Sequence, residues 1–127
     1  MNIAINCRCF LNKDYTGIGR YAYNLLQTLG TIDQQNRYLL YAKKGFFSFR
    51  KKLPQFDYKN MHLKIDRFGI GIDKMVGEVD LYHSLCPELI KLHKARKVVV
   101  TVDDLIFKAF SKGHTQETVD ETAKQVE

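Results

Sequence analysis

The sequence predicts an α/β fold, a doubly wound parallel sheet, and three observations predict it. Short segments rich in aliphatic and β-branched residues recur along the chain: "NIAIN", "RYLLYAK", "MHLKID", "VDLYH" and "KVVVTV". The segments between them carry helical spacing or loop signals rather than the two-residue turns of hairpins. The chain has 127 residues, 45% of them hydrophobic and 27% charged, which suits one globular domain with its own core. Strands that alternate with crossovers build a parallel sheet covered on both faces.

The elements follow in order. Residues 2–6 read as a first, central strand. A polar loop leads to Ile18, Ala22, Leu25, Leu26 and Leu29, whose spacing draws one face of a helix. Asp14 or Thr16 would cap its start, and Gly30 stands where a C-cap glycine belongs. Residues 37–43 form a near-continuous apolar run, the pattern of a strand buried on both faces. The stretch 43–60 is basic, aromatic and irregular, and Pro54 opposes an unbroken helix there. In 61–66, Met61, Leu63 and Ile65 alternate with polar residues, as in a half-exposed strand. Residues 68–79, with three glycines, predict a loop and a short helix.

A fourth strand over 79–83 follows, then a loop or turn after Pro87. Residues 97–102 hold four valines and a threonine, the strongest strand signal in the chain. Residues 114–127 read as a polar helix. A doubly wound, Rossmann-like sheet arranges five such strands in the order 3-2-1-4-5. Its ligands bind beyond the carboxyl ends of the strands, where the order reverses between strands 1 and 4. The loops after strands 1, 4 and 5 converge there and bring Gly17, Gly19, His83, Ser84, Asp103 and Asp104.

Charge and cysteine content narrow the context. The formal charge is +6, which suits anionic partners without choosing among them. No apolar run approaches the ~20 residues of a membrane span, and the start lacks the basic and apolar regions of a signal peptide. A cytoplasmic protein is expected, with Cys7, Cys9 and Cys86 as reduced thiols.

The stretch "DYTGIGRYAYNLL" spells G-x-G-x-x-A through Gly17, Gly19 and Ala22. That spelling belongs to phosphate-cradling loops of dinucleotide-binding folds. Two features speak against a nicotinamide cofactor. About ten residues separate Asn6 from Gly17, too many for the tight turn that motif needs. Lys43 and Lys44 also stand where strand 2 should end in a ribose-binding acid. What remains is a helix N-terminus whose bare N–H groups and partial positive charge suit a phosphate. The same glycines also serve simply to lead a loop into a helix.

"GIGRYAYNLLQTL" after "NIAIN" resembles the opening of retaining glycosyltransferases of the GT-B fold, in glycosyltransferase family 4. "VDLYHSLCPELI" and "KVVVTVDDLIF", followed by a polar helix from "HTQET", match the same family in order. The resemblance runs over residues 1–127 and is loose over 44–75. It implies that residues 1–127 form the N-terminal, acceptor-side domain of a two-domain enzyme. The nucleotide-sugar-binding domain, with its paired glutamates, has no counterpart here, so a fragment inactive by itself is expected. The resemblance further implies that Gly17, Gly19 and Arg20 approach the donor diphosphate when the cleft closes. His83 and Ser84 would line the acceptor side, and Asp103 and Asp104 the catalytic centre. Family members usually carry His-Asp after the fifth strand. Here Asp104 matches the aspartate and Asp103 replaces the histidine. An ionised carboxylate there accepts hydrogen bonds from sugar hydroxyls and donates none, and nearby donor phosphates would raise its pKa. No metal and no resident cofactor are implied, only a nucleotide-sugar co-substrate and a glycan or lipid-linked acceptor.

Other readings stay open beside this one. The first alternative is a non-enzymatic Rossmann-like module that binds a phosphorylated or sugar ligand. The second is a nucleotide-cofactor-binding protein. Asp103 and Asp104 also read as turn formers, and as a metal pair they lack the further oxygen ligands hard cations need. Cys7, Cys9, His83 and Cys86 make a zinc-type ligand set, but C-x-C is tighter than the usual spacing. His83 suits either a ligand contact or a histidine bonded to backbone. "KKGFFSFRKK" (43–52) interleaves phenylalanines with cations, as peripheral contact with an anionic membrane requires, and equally as rings packed under a sheet. No nucleic-acid-binding motif is present.

Overall fold

The computed structural model describes residues 1–11, 17–45, 55–85 and 92–103. Among these residues five strands form one sheet: β1 (Asn2–Asn6), β2 (Arg37–Lys43), β3 (Met61–Asp66), β4 (Val79–Ser84) and β5 (Ala95–Val100). All neighbouring pairs are parallel, in the order β3-β2-β1-β4-β5. The expected order is therefore the observed one. Among the described residues two helices accompany the sheet, α1 (Gly17–Ile32) and α2 (Ile72–Val76), and a 3-10 turn at Arg8–Leu11 leaves β1. Among the described residues no helix is long and apolar enough to cross a membrane.

The alternation of side chains divides the core into two layers. On one face Ile3, Ile5, Tyr38, Leu40 and Ala42 meet Ala22 and Leu26 of α1. On the other, Ala4, Leu39, Tyr41 and Tyr82 meet Ile72 of α2. β1 and β2 need apolar residues at successive positions because both faces are covered, and their interiors are buried throughout.

Gly30 is not a C-cap. It lies inside α1, buried, with the ring of Tyr58 laid across it. The helix ends two residues later by other means. Gln34 Nε2 donates to the Gly30 carbonyl at 3.0 Å, and the Asp33 N–H donates to the Leu29 carbonyl at 2.9 Å. Asp33 then gathers the turn into β2, accepting from the N–H groups of Gln35 and Asn36, the Asn36 amide and the Tyr38 hydroxyl. These donors hold its carboxyl well below the usual carboxylate range, the Tyr38 hydroxyl foremost. The proposed caps Asp14 and Thr16 lie outside the described residues.

Two strands differ from expectation. β5 begins at Ala95 and ends at Val100, two residues earlier than the valine run suggests at each end. The ladder sets this register: Val79 pairs with Ala95, and the Val79 N–H donates to the Lys94 carbonyl. Val98 and Val99 point to opposite faces and are 48% and 45% exposed, so among the described residues neither face of β5 is covered as a doubly wound sheet would have it. Arg96 and Lys97 place charge on this edge strand, which discourages pairing with another chain. In β3 the buried residues are Met61 and Asp66, which alternation turns to opposite faces, while Leu63 is 41% exposed. β3 is the other edge, and its outer rim is less covered than a strict apolar alternation predicts.

Candidate functional site

Every strand is parallel, so all five carboxyl ends lie along one edge of the sheet. The order reverses between β1 and β4, and both strands end in buried polar residues. Asn6 is 2% exposed and Ser84 is fully buried. Asn6 Oδ1 accepts the Arg8 N–H at 3.1 Å, which turns the chain out of β1 into the 3-10 turn. The Cys7 N–H still reaches the Tyr41 carbonyl, so the sheet continues one residue beyond β1. A 3-10 turn here was not legible from residue periodicity; the Asx-type bond from Asn6 is the signal that could have shown it.

The first turn of α1 stands at this edge, because the crossover from β1 to β2 runs the helix antiparallel to the strands. Gly17 is exposed, Gly19 is buried and Arg20 is exposed. Among the described residues the first turn holds no acidic side chain to offset the partial positive charge of the helix start. A Cβ built on Gly17 meets nothing within 4 Å, and its φ is not in the left-handed region. Neither packing nor backbone conformation therefore demands glycine at 17. Close approach of another molecule to the backbone is a use that remains.

His83 lies on the same face as α1. In the ladder it pairs with Ile5, whose side chain packs on Ala22 and Leu26. Its Nε2 stands 2.8 Å from Thr101 Oγ1, the residue after β5, and the Thr101 N–H donates to the Ser84 carbonyl at 2.9 Å. Burial lowers the His83 pKa below its ordinary 6.5. The ring is expected to be neutral at pH 7, with a titration midpoint below 6.5, read from its Cε1 proton shift by NMR. A depressed histidine contributes stability that is fully present above pH 6.5 and is lost as pH falls through the folded pKa. A midpoint at or above 6.5 would contradict the burial.

The structure thus brings Gly17, Gly19, Arg20 and His83 to one edge and one face. Ser84 is at the same edge but sealed within the sheet, so it reaches a ligand only through its neighbours. Asp103 is exposed, three residues past β5. Asp104, Cys86 and the predicted helix over 114–127 lie outside the described residues, as do 46–52 of the basic aromatic segment. Among the described residues no cluster of metal-ligating side chains occurs. Thr101, which fixes the His83 ring, is the site residue that sequence reasoning passed over, since a threonine among valines reads only as strand.

Cations gather along this edge: Arg8, Arg20, Lys43, Lys44 and Arg67. Among the described residues two indentations lie elsewhere. One of about 360 Å³, between Asn2, Glu78, Asp80, His93, Lys94 and Arg96, opens at the opposite, amino-terminal edge. Another of about 410 Å³ lies beside β3, between Leu40, Phe56, Met61 and Leu63. Neither is at the point where strand order reverses, the position that parallel sheets use for ligands.

Fold and edge together define a parallel α/β sheet of Rossmann-like order with a glycine-led helix at its reversal point. Comparison with known proteins finds no matching family model, no matching curated protein and no matching solved structure.

Proposed function

We propose that this chain is the acceptor-side domain of a retaining GT-B glycosyltransferase of family 4, which moves a sugar from a nucleotide donor to a hydroxyl acceptor. The observation that carries the reading is the open approach to Gly17, in a first helical turn without acidic residues on a cationic sheet edge. In transfer, the bond from the anomeric carbon to the diphosphate breaks, a bond to the acceptor oxygen forms with retention, and the acceptor hydroxyl's proton passes to the departing diphosphate oxygen. Charge collects on the departing diphosphate. The exposed Gly17 amide and the Arg20 guanidinium meet it, with the buried Gly19 behind them, so no metal is needed to stabilise the leaving group. His83, neutral and held by Thr101, faces the acceptor side, with Ser84 behind it. Asp103 and Asp104 are the catalytic pair, Asp103 accepting hydrogen bonds from sugar hydroxyls. The nucleotide of the donor binds mainly to a second domain.

The test has two arms. The chain alone, given nucleotide-sugar and acceptor, is expected to transfer nothing. Expressed together with its downstream coding sequence, it is expected to transfer sugar with retention. Transfer by the chain alone contradicts the proposal. So does a reading frame that stops at Glu127, which favours a non-catalytic module for a phosphorylated or sugar ligand. A substitution refines this. Gly17→Val is expected to leave the melting temperature within about 2 °C of the parent, because the side chain enters open space. In the protein expressed together with its downstream coding sequence, affinity for a nucleoside diphosphate, measured by calorimetry, should fall by about tenfold through loss of close backbone approach.

A further inference from the structure

The loop after β3 is built to hold apolar side chains away from the core. Asp66 is 1% exposed, and its carboxylate accepts the N–H groups of Phe68 (3.2 Å), Ile70 (3.0 Å) and Gly71 (2.9 Å) and the Tyr41 hydroxyl (2.8 Å). Gly69 and Gly71 have φ of 72° and 92°, a region glycine enters without strain. The pinned backbone presents Phe68 at 78% exposure and Ile70 at 47%. Single exposed apolar residues are ordinary. Two on the tip of a loop fixed by a buried carboxylate are not the product of a loosely held chain.

Cations ring the tip. The Lys43 Cε lies 3.9 Å from the position a Cβ on Gly69 would take. The Lys44 N–H donates to the Asp66 carbonyl at 2.9 Å, and Arg67 sits in the loop itself, exposed. A protein interface of standard size needs roughly 20–30 residues a side, and this tip offers two apolar side chains and three cations. A bilayer surface accepts such a tip: rings enter the headgroup boundary while cations meet anionic lipid. The geometry points to the 67–70 loop as a wedge by which the carboxyl edge of the sheet docks on an anionic bilayer. The inference uses none of the sugar-transfer argument and stands or falls apart from it.

Co-sedimentation of the full chain with vesicles tests it. Vesicles of phosphatidylcholine with about 30 mol% phosphatidylglycerol should carry the chain down, and pure phosphatidylcholine should not. Phe68→Ser with Ile70→Ser should lower the partition coefficient at least about tenfold, with the melting temperature unchanged. Lys43→Gln and Lys44→Gln should each cost about fivefold, equivalent to roughly 1 kcal/mol per cation. No binding to the anionic vesicles overturns the proposal. Binding that survives the loop substitutions but falls with Arg50→Gln, Lys51→Gln and Lys52→Gln overturns it in favour of the basic segment. Loop-dependent binding to polyglutamate without lipid binding overturns it in favour of an acidic polypeptide.

Discussion

Replacement of Asp66 by alanine is expected to cost about 3–5 kcal/mol of folding free energy, a large part of what a domain of this size possesses. The carboxylate is buried and accepts from three backbone N–H groups and the Tyr41 hydroxyl. Truncation leaves those donors facing a cavity, and an unsatisfied buried donor costs about 1–3 kcal/mol. The total stays below the sum because the loop is close to water and part of it re-solvates. Asp66→Asn should be milder, since one amide oxygen still accepts while its NH2 opposes the remaining donors. Burial works against the charge of Asp66, but the N–H of Gly71, the Tyr41 hydroxyl and the N–H groups of Ile70 and Gly69 together hold the pKa down at about 2. A depressed carboxyl contributes stability that is present above its unfolded value, 3.8, and is lost as pH falls toward 2. Denaturant midpoints of the parent should therefore fall more steeply between pH 4 and pH 2 than those of Asp66→Asn. A loss below about 1 kcal/mol for the alanine variant would contradict this account of the loop.

Gly30→Ala is expected to destabilise by about 2–3 kcal/mol, opposite in sign to the usual effect of this change inside a helix. Alanine ordinarily gains about 1 kcal/mol over glycine at a helix interior position. Here the new Cβ would lie 2.6 Å from Cε2 and Cγ of Tyr58, and closer still to Cδ2. The ring has to leave. Its hydroxyl then gives up the bond to Gln27 Oε1 and the contact with Thr31 Oγ1. Gln27 in turn donates to the Tyr23 hydroxyl, and Tyr23 packs on Phe56 at a ring-centroid distance of 5.7 Å, so the clamp that segment 55–58 forms on α1 loosens as a unit. The double variant Gly30→Ala with Tyr58→Ala separates the causes. With the ring gone, alanine at 30 should regain its helical advantage, and a double-mutant cycle should show strong coupling. A stabilising single Gly30→Ala would refute the clash.

Gly30 shows where local sequence reasoning ends. A glycine after the last apolar residue of a helical stripe is the mark of a C-cap, and nothing nearby announces that a tyrosine from another segment needs the space. β1 and β2 were legible because their apolar runs satisfy burial on both faces, a demand each strand meets by itself. The strand order followed from connection rules alone. β5 slipped by two residues because its register is set by β4, not by its own valines. Asp66 reads as the polar end of an alternating strand, although the glycines at 69 and 71 hinted at a loop needing an acceptor. At the candidate site, the topological rule located Gly17 and His83 without any contact being known. It could not show that Ser84 is sealed, or that Thr101 holds the imidazole, because both depend on which way side chains turn at the sheet edge.

The most direct measurement is an amide chemical-shift map of the protein, expressed together with its downstream coding sequence, during titration with a nucleoside diphosphate. The account predicts saturable shifts concentrated at Gly17, Ile18, Gly19 and Arg20, with smaller ones at His83 and Thr101. Shifts that leave residues 17–20 untouched, or that centre on the opposite edge around Asp80 and Lys94, would contradict it.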